Sequence, residues 1–250
     1  KTDVATILDE QAIAVIKRNF EDPSVGAVSS TDRFVTESGE VVGEGYYVRY
    51  EMWLRQLESR VNTLVGLSGS FFAARRSVCE HWNIKVPSDF GTAINCVRTG
   101  FRAISDPALV GIYRDLKESG KEHDRKLRTM VRGMAGLREM REVLNPLRYG
   151  LFAFQVWSHK IMRWAVPWFM MLIFFCNVLL LRQGSLYVAL LSGQILFYTI
   201  AVLPRLWKRT ADSALIRLIN FFVESNWAAA RAAVMVAQGK TIAAWQPSRR

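Results

Sequence analysis

The 250 residues carry 33 Lys and Arg against 22 Asp and Glu, a net charge of +11, and half of them are apolar. That length suits one large domain or one domain with an attached module. The charge is lopsided: residues 1–110 hold 12 basic and 14 acidic side chains, residues 111–250 hold 21 and 8. A basic stretch beside strongly apolar runs points to an anionic membrane surface, and the first half has no basic face to offer nucleic acid. Cys79, Cys96 and Cys176 follow neither a disulfide framework nor a ligand spacing, so no structural zinc is implied.

In chain order, Lys1-Thr2-Asp3 reads as the end of a strand with no apolar run before it, and an N-terminal portion is therefore expected to precede it. Asp9 to Phe20 has helical spacing, with Ala12, Ile13, Ile16 and Phe20 on one face. Pro23 ends it, and Val25–Val28 reads as a short buried strand. Thr31 to Gly45 reads as a loop. Tyr46 to Asn62 has the composition of a helix. Leu64 to Ala74, interrupted by Gly66 and Gly69, predicts a strand, a tight turn and a second strand. Ser88 to Thr99 reads as a helix stopped by Gly100. Two short strand candidates, 103–105 and 108–112, follow. Helices alternating with short apolar strands predict an α/β sheet.

The character changes near His123. Leu127, Val131, Met134, Leu137, Met140 and Leu144 recur at helical spacing among arginines until Pro146 breaks the run, and aromatics follow from Phe152 to Trp164. Placed before an apolar span, such a basic amphipathic segment is expected in the lipid headgroup layer. Residues 164–181 and 183–204 are uncharged apart from Arg182 between them, and each approaches the roughly 20 residues that cross a bilayer core. Basic residues after the second span place the N-terminal domain and the 205–213 connection on the cytoplasmic side. Ala214 to Gln238 is a third apolar stretch, but Arg217, Asn220, Glu224, Arg231 and Gln238 share one sector about 60° wide at 100° per residue. It reads either as an interfacial helix or as a third span with a polar stripe turned inward.

Asp89, between Pro87 and an apolar helix start, has two readings of its own. An Asp can cap a first helical turn, and it can equally be a general base delivered by that turn.

In this order, the pieces resemble the membrane-integrated family 2 glycosyltransferases, the group of cellulose, chitin, hyaluronan and poly-N-acetylglucosamine synthases, with the bacterial exopolysaccharide enzymes nearest. The matching stretches are Thr2–Ile7, Asp22–Val28, Gly43–Tyr47 with Arg49-Tyr50-Glu51, Gly66–Ser70 with Arg75-Arg76, Ser88–Phe90, Gly100–Arg102, Arg125–Thr129 and Trp245–Arg250. The resemblance implies an incomplete GT-A-type domain over 1–122, amphipathic interface helices over 123–163, and a transmembrane region over 164–250. It implies inverting transfer from a nucleotide-sugar donor to a growing β-linked glycan at the bacterial inner membrane, multi-pass and with a cytoplasmic catalytic part. Membrane lipid and accessory polysaccharide-export subunits are expected partners; nucleic acid is not.

By the same resemblance, Asp3 matches the first acid of the family's Asp-x-Asp, which contacts the donor pyrophosphate through a divalent cation, Mg or Mn; Ala5 stands at the second position. Asp89 matches the base that takes the acceptor's proton. Ser68, Gly69 and Ser70 match the loop beside the acceptor end. Arg125 and Arg128 stand in the Gln-x-x-Arg-Trp motif toward the pyrophosphate, with Arg125 in place of Gln and Thr129 in place of Trp. The donor-binding strands of the family precede the Asp-x-Asp, so residues 1–250 alone are expected to be inactive. The rival expectation is a catalytically inactive membrane subunit or degenerate paralogue, to which Ala5 points.

Overall fold

The computed structural model describes residues 2, 6–35, 46–80, 82–114, 119–207, 210 and 213–240. They divide into two compact units, one of residues 1–119 and 135–159, the other of 120–134 and 160–250.

The first unit is a mixed α/β layer structure. Its sheet joins β1 (Ile7–Leu8), β2 (Val25–Val35), β3 (Phe72–Ala74) and β4 (Arg102–Arg114) in the order β1-β4-β2-β3. β2 and β4 run parallel, while β1 and β3 pair antiparallel at the two edges. Successive strand residues point to opposite faces, and here both faces are covered. Val25 and Val28 pack with Leu109, Phe71 and the Ala12/Val15 side of α1 (Ala12–Phe20). On the other face Ala27 and Ala103 meet Leu64, Leu67, Phe72, Val78, and Ala93 and Cys96 of α4 (Ser88–Arg98). Ile13, expected on the buried face of α1, is instead exposed, because the stripe runs through positions 12, 15, 16 and 20.

β2 continues beyond Val28 to Val35, so residues 31–35 of the predicted loop are strand, held by the pairs Thr31–Val110 through Val35–Arg114. The two predicted strands at 103–105 and 108–112 are one strand with a bulge. Pairing jumps from Ser29–Ser105 to Thr31–Val110, and the displaced Asp106 accepts from Arg18 Nη2 (2.9 Å) and Asn19 Nδ2 (2.6 Å) of α1. Burial alone would raise the Asp106 pKa. The bonds from Asn19, the Ala108 amide and Arg18 outweigh it and hold the carboxyl below its ordinary value.

The first strand predicted within 64–74 does not form. Leu64, Val65 and Leu67 are fully or almost fully buried, yet their backbone is irregular. Its donors find partners outside any ladder: Leu64 N–H on the Ala103 carbonyl (2.9 Å), Val65 N–H on Glu58 Oε2 (3.3 Å) and Leu67 N–H on the Asp89 carbonyl (3.2 Å). Glu58 lies on α2 (Tyr46–Val61). Arg75, just ahead of α3 (Arg76–Cys79), donates to the Val25, Phe20 and Asp22 carbonyls at 2.6–3.0 Å while lying over the Phe20 ring. Gly26 is required beside this pin, since a Cβ there would lie 2.5 Å from Phe101 Cβ.

α4 ends as read. Gly100 has φ +81°, its N–H donates to Val97 O and the Phe101 N–H to Cys96 O, the paired bonds of a Schellman cap. Pro146 opens a helix rather than closing one: α5 (Ser119–Glu139) has already given way to a 3-10 turn at Arg141–Leu144. Pro146 then stands at the first position of α6 (Pro146–Val156), where its missing N–H costs nothing, with Asn145 capping Leu147 N–H at 2.9 Å. A π-helical turn, Trp157–Met162, continues the chain.

The second unit contains α7 (Arg163–Leu179), α8 (Ser185–Leu206) and α9 (Ala214–Ala237). Two helical runs, Pro146–Leu179 and Ser185–Leu206, are long and apolar enough to cross a membrane. Inside the unit, Asn177 donates to Gln194 (3.3 Å), and Gln194 to Tyr198 (3.0 Å) and the Met170 carbonyl (3.0 Å). Two residues of the polar stripe of α9 meet α8, Asn220 donating to the Ala201 carbonyl (2.8 Å) and Glu224 lying 3.5 Å from Arg205, while Arg217, Arg231 and Gln238 are exposed. Leu127 and Val131 of α5 bury against Ala232, so this part of the basic helix's apolar stripe meets protein.

Candidate active site

α4 opens at Ser88 with Pro87 in the capping position and no side-chain cap. The Asp89 carboxylate is therefore not the cap that its place in the sequence allows. It accepts no hydrogen bond among the described residues, and its Oδ2 lies 3.8 Å from where a Cβ of Gly69 would stand. Glycine at 69 leaves the space before that oxygen open, whereas any side chain would begin to fill it.

The segment Ser68-Gly69-Ser70 lies between two supports. On one side is the first turn of α4, bonded through Leu67 N–H to the Asp89 carbonyl. On the other is β2. Ser68 N–H donates to Ser29 Oγ (2.7 Å), and the Phe71 carbonyl receives both Ser30 N–H (3.1 Å) and Ser30 Oγ (2.9 Å). The two serine side chains turn to Asp32, Ser68 Oγ at 2.7 and 2.8 Å from its two oxygens and Ser70 Oγ at 2.8 Å. The two hydroxyls also contact each other. Gly69 is left facing Asp89 while its neighbours face Asp32.

Of the expected site residues, the first unit thus brings together Asp89, Ser68, Gly69 and Ser70. Asp3 lies outside the described residues; Thr2, just before it, forms an isolated antiparallel bridge with Phe71. Arg128 is half-buried on α5, in the part belonging to the second unit, beside Lys126, whose ammonium lies 4.1 Å from the Phe221 ring centre. The Arg125 side chain lies outside what is described.

Asp32 was missed, because it falls in a stretch read as loop. The signal was present in the apolar run Val25–Val28 continuing into Ser30 and Asp32 at strand spacing. His159 was missed as well. It sits in the π-helical turn with Nδ1 2.5 Å from Glu58 Oε1 and Nε2 3.6 Å from Glu51 Oε2, both on α2. No local pattern announces a pairing across a hundred residues.

A divalent cation needs several converging oxygen ligands. Among the described residues no group of three His, Cys, Asp or Glu side chains is arranged to hold a metal ion, and Asp32 is already committed to serine hydroxyls. The described donor set does not fit such a cation. A cleft of about 550 Å³ is lined by Ser77, Asn95, Arg98, Thr99, Arg148 and Tyr149 among others. It adjoins the C-terminal end of α4, about 13 Å along the helix from Asp89 at 1.5 Å per residue, and Arg98 there is paired with Glu142 at 3.8 Å. It is not the site of the free carboxylate.

No family model matches the chain, and no curated protein matches it by sequence. Solved structures do. One is the mannosyltransferase PcManGT from Pyrobaculum calidifontis in complex with GDP-Man and Mn2+, with a TM-score of 0.62 and 20% identity over 96% of this chain. The fold is glycosyltransferase-like. The chain spans 61% of that enzyme's length, and the likeness at this identity is one of fold.

Proposed function

We propose that the chain is part of a membrane-integrated, inverting glycosyltransferase that moves a sugar from a nucleotide-sugar donor to a growing β-linked glycan. The observation that carries the reading is the uncommitted Asp89 carboxylate facing Gly69, in a fold shared with a mannosyltransferase.

The acceptor hydroxyl attacks the anomeric carbon on the face opposite the departing nucleoside diphosphate, so the new bond forms with inversion. Its proton must leave as the bond forms, and Asp89 accepts it as general base. The Ser68-Gly69-Ser70 segment lines the acceptor side through its backbone and the open face of Gly69, since the serine hydroxyls are engaged by Asp32. Arg125 and Arg128 are assigned to the charge that develops on the departing pyrophosphate, the task for which a cationic donor is suited. PcManGT holds Mn2+ with GDP-Man; for this chain Asp3 is the residue assigned to a divalent cation, and no step above depends on it. The apolar helices α7 and α8 are assigned to the membrane, with the first unit cytoplasmic.

The test is Asp89→Asn in the complete reading frame, in membranes supplied with radiolabelled nucleotide sugars. Transfer should be lost while folding and membrane insertion persist. Unchanged transfer would overturn the assignment of the base.

The second reading, a catalytically inactive membrane subunit, is favoured by Ala5 at the second acidic position and by the donor set described above. It predicts no incorporation from any nucleotide sugar, with or without Asp89.

A further inference from the structure

The carboxylate of Asp32 is the common acceptor of a hydroxyl cluster. Ser68 Oγ lies 2.7 and 2.8 Å from its two oxygens and Ser70 Oγ 2.8 Å from Oδ1, while Ser30 Oγ, whose hydrogen goes to the Phe71 carbonyl at 2.9 Å, lies 3.0 Å from Oδ1. Each hydroxyl has one hydrogen to give, and an ionised carboxylate accepts on both oxygens and donates nothing. Ser30 and Ser68 are fully buried, so water does not reach the Ser68 hydroxyl without displacing the loop, while Ser70 and Asp32 are half-buried. Asp32 lies in the C-terminal half of β2, beyond Ser29, the last residue that β3 pairs. Among the described residues, side chains of Ser29 and Asp32 fasten the loop at residues 68 and 70.

We propose that Asp32 is a positioning residue of the acceptor side: by holding Ser68 and Ser70 it presents Gly69 to the Asp89 carboxylate and fixes where an acceptor hydroxyl meets its base. This rests on the function proposed above. Asp32 touches neither donor nor acceptor. It acts through the loop, and for this a carboxylate is required. An asparagine has the same shape but offers one carbonyl oxygen in place of two carboxylate oxygens, so Ser68 and Ser70 no longer share an acceptor of two oxygens.

The experiment compares the complete protein with its Asp32→Asn and Ser68→Ala/Ser70→Ala variants, by two readouts. The first is amide hydrogen exchange over residues 67–71 in detergent. Both variants should raise it about tenfold, the size expected for losing one hydrogen bond to a charged group, while amides of the β2–β4 ladder stay protected. The second is the partition of radiolabelled nucleotide sugar between transfer and hydrolysis by water. A displaced acceptor leaves donor binding intact and shifts the partition toward hydrolysis by a similar factor; a merely structural defect lowers both products together.

Wild-type exchange at 67–71 in both variants would overturn the positioning role whatever the activity. So would raised exchange with an unchanged partition, which would reduce Asp32 to a structural anchor. If Asp32→Asn fails to fold, the double serine variant, which keeps Asp32, decides alone. If the wild-type protein turns over no nucleotide sugar, the proposed function fails and takes the acceptor-side role with it. The exchange arm then still decides whether Asp32 holds the loop.

Discussion

The two units of this chain differ in what they bury and what they expose. In the first, Phe72, Phe152, Leu64, Leu67 and Ile94 are the largest side chains removed from solvent, as water demands of a core. In the second, α8 and α9 bury alanines, Ala201, Ala228, Ala229 and Ala232, beside Leu127 and Val131 of α5, while Leu179 is 81% exposed and Leu196 59%. Exposed leucines on α7 and α8 with alanines buried on α8 and α9 are the pattern expected of the membrane unit proposed above. There, helices associate through close backbone approach and a few interior polar pairs, such as Asn177 with Gln194. The difference separates the proposed tasks: one unit holds a polar site at fixed geometry, and the other dissolves in lipid.

The comparison can be pressed by substitution, and the largest effect is chemical. Asp89→Asn in the complete protein should cut sugar transfer by about 10²–10⁴-fold, the range for loss of a positioned general base. Circular dichroism and membrane fractionation should show both units as before. A pair of core changes comes next. Phe72→Ala should cost about 3–5 kcal/mol through the lost burial and the cavity left behind, whereas Leu196→Ala, which exposes no core, should shift detergent-phase thermal unfolding little. Equal losses from the two would sink the contrast between the units. Within the second unit the rule inverts: Ala232→Leu adds bulk where Leu127 and Val131 pack closely, and should destabilise by about 1–3 kcal/mol. A gain in stability there would show room that the packing does not have.

The smallest effect is a pH dependence confined to the first unit. The Asp106 carboxyl lies below its ordinary pKa when folded, so its bonds to Asn19, Ala108 and Arg18 contribute stability above the unfolded value, near 3.9. That contribution is lost as pH falls through the folded value. The melting temperature should therefore drop below about pH 4, and Asp106→Asn should flatten that limb. The thiol of Cys96 offers an independent gauge. Burial, with Cys79 nearby, pushes it up to about 12, so alkylation at pH 8 should reach it only after α4 and the sheet have separated.

Much of this was decided locally, and that part could be read from the sequence. The Tyr46–Val61 helix, the Ser88 start and Gly100 stop of α4, and the apolar lengths of α7 and α8 depend on periodicity, one glycine able to take φ +81°, and runs without charge. The α/β character and the Asp89–Gly69 pairing were also in view, the second through resemblance of motifs rather than any spacing rule. What the sequence left undecided depended on partners far along the chain. β2 reaches Val35 because the far half of β4 lies beside it, and Leu64–Ser70 stays irregular because Glu58, Ala103, Asp89 and Ser29 meet its amides. Pro146 begins a helix because α5 has ended seven residues before it, at Glu139. Asp89 is free because Pro87 occupies the capping position, and Asp32 matters because Ser68, 36 residues away, turns its hydroxyl to it. A hydrogen bond between residues that distant leaves no periodic trace, since the only thing that pairs them is the packing that brings the strand and the loop together.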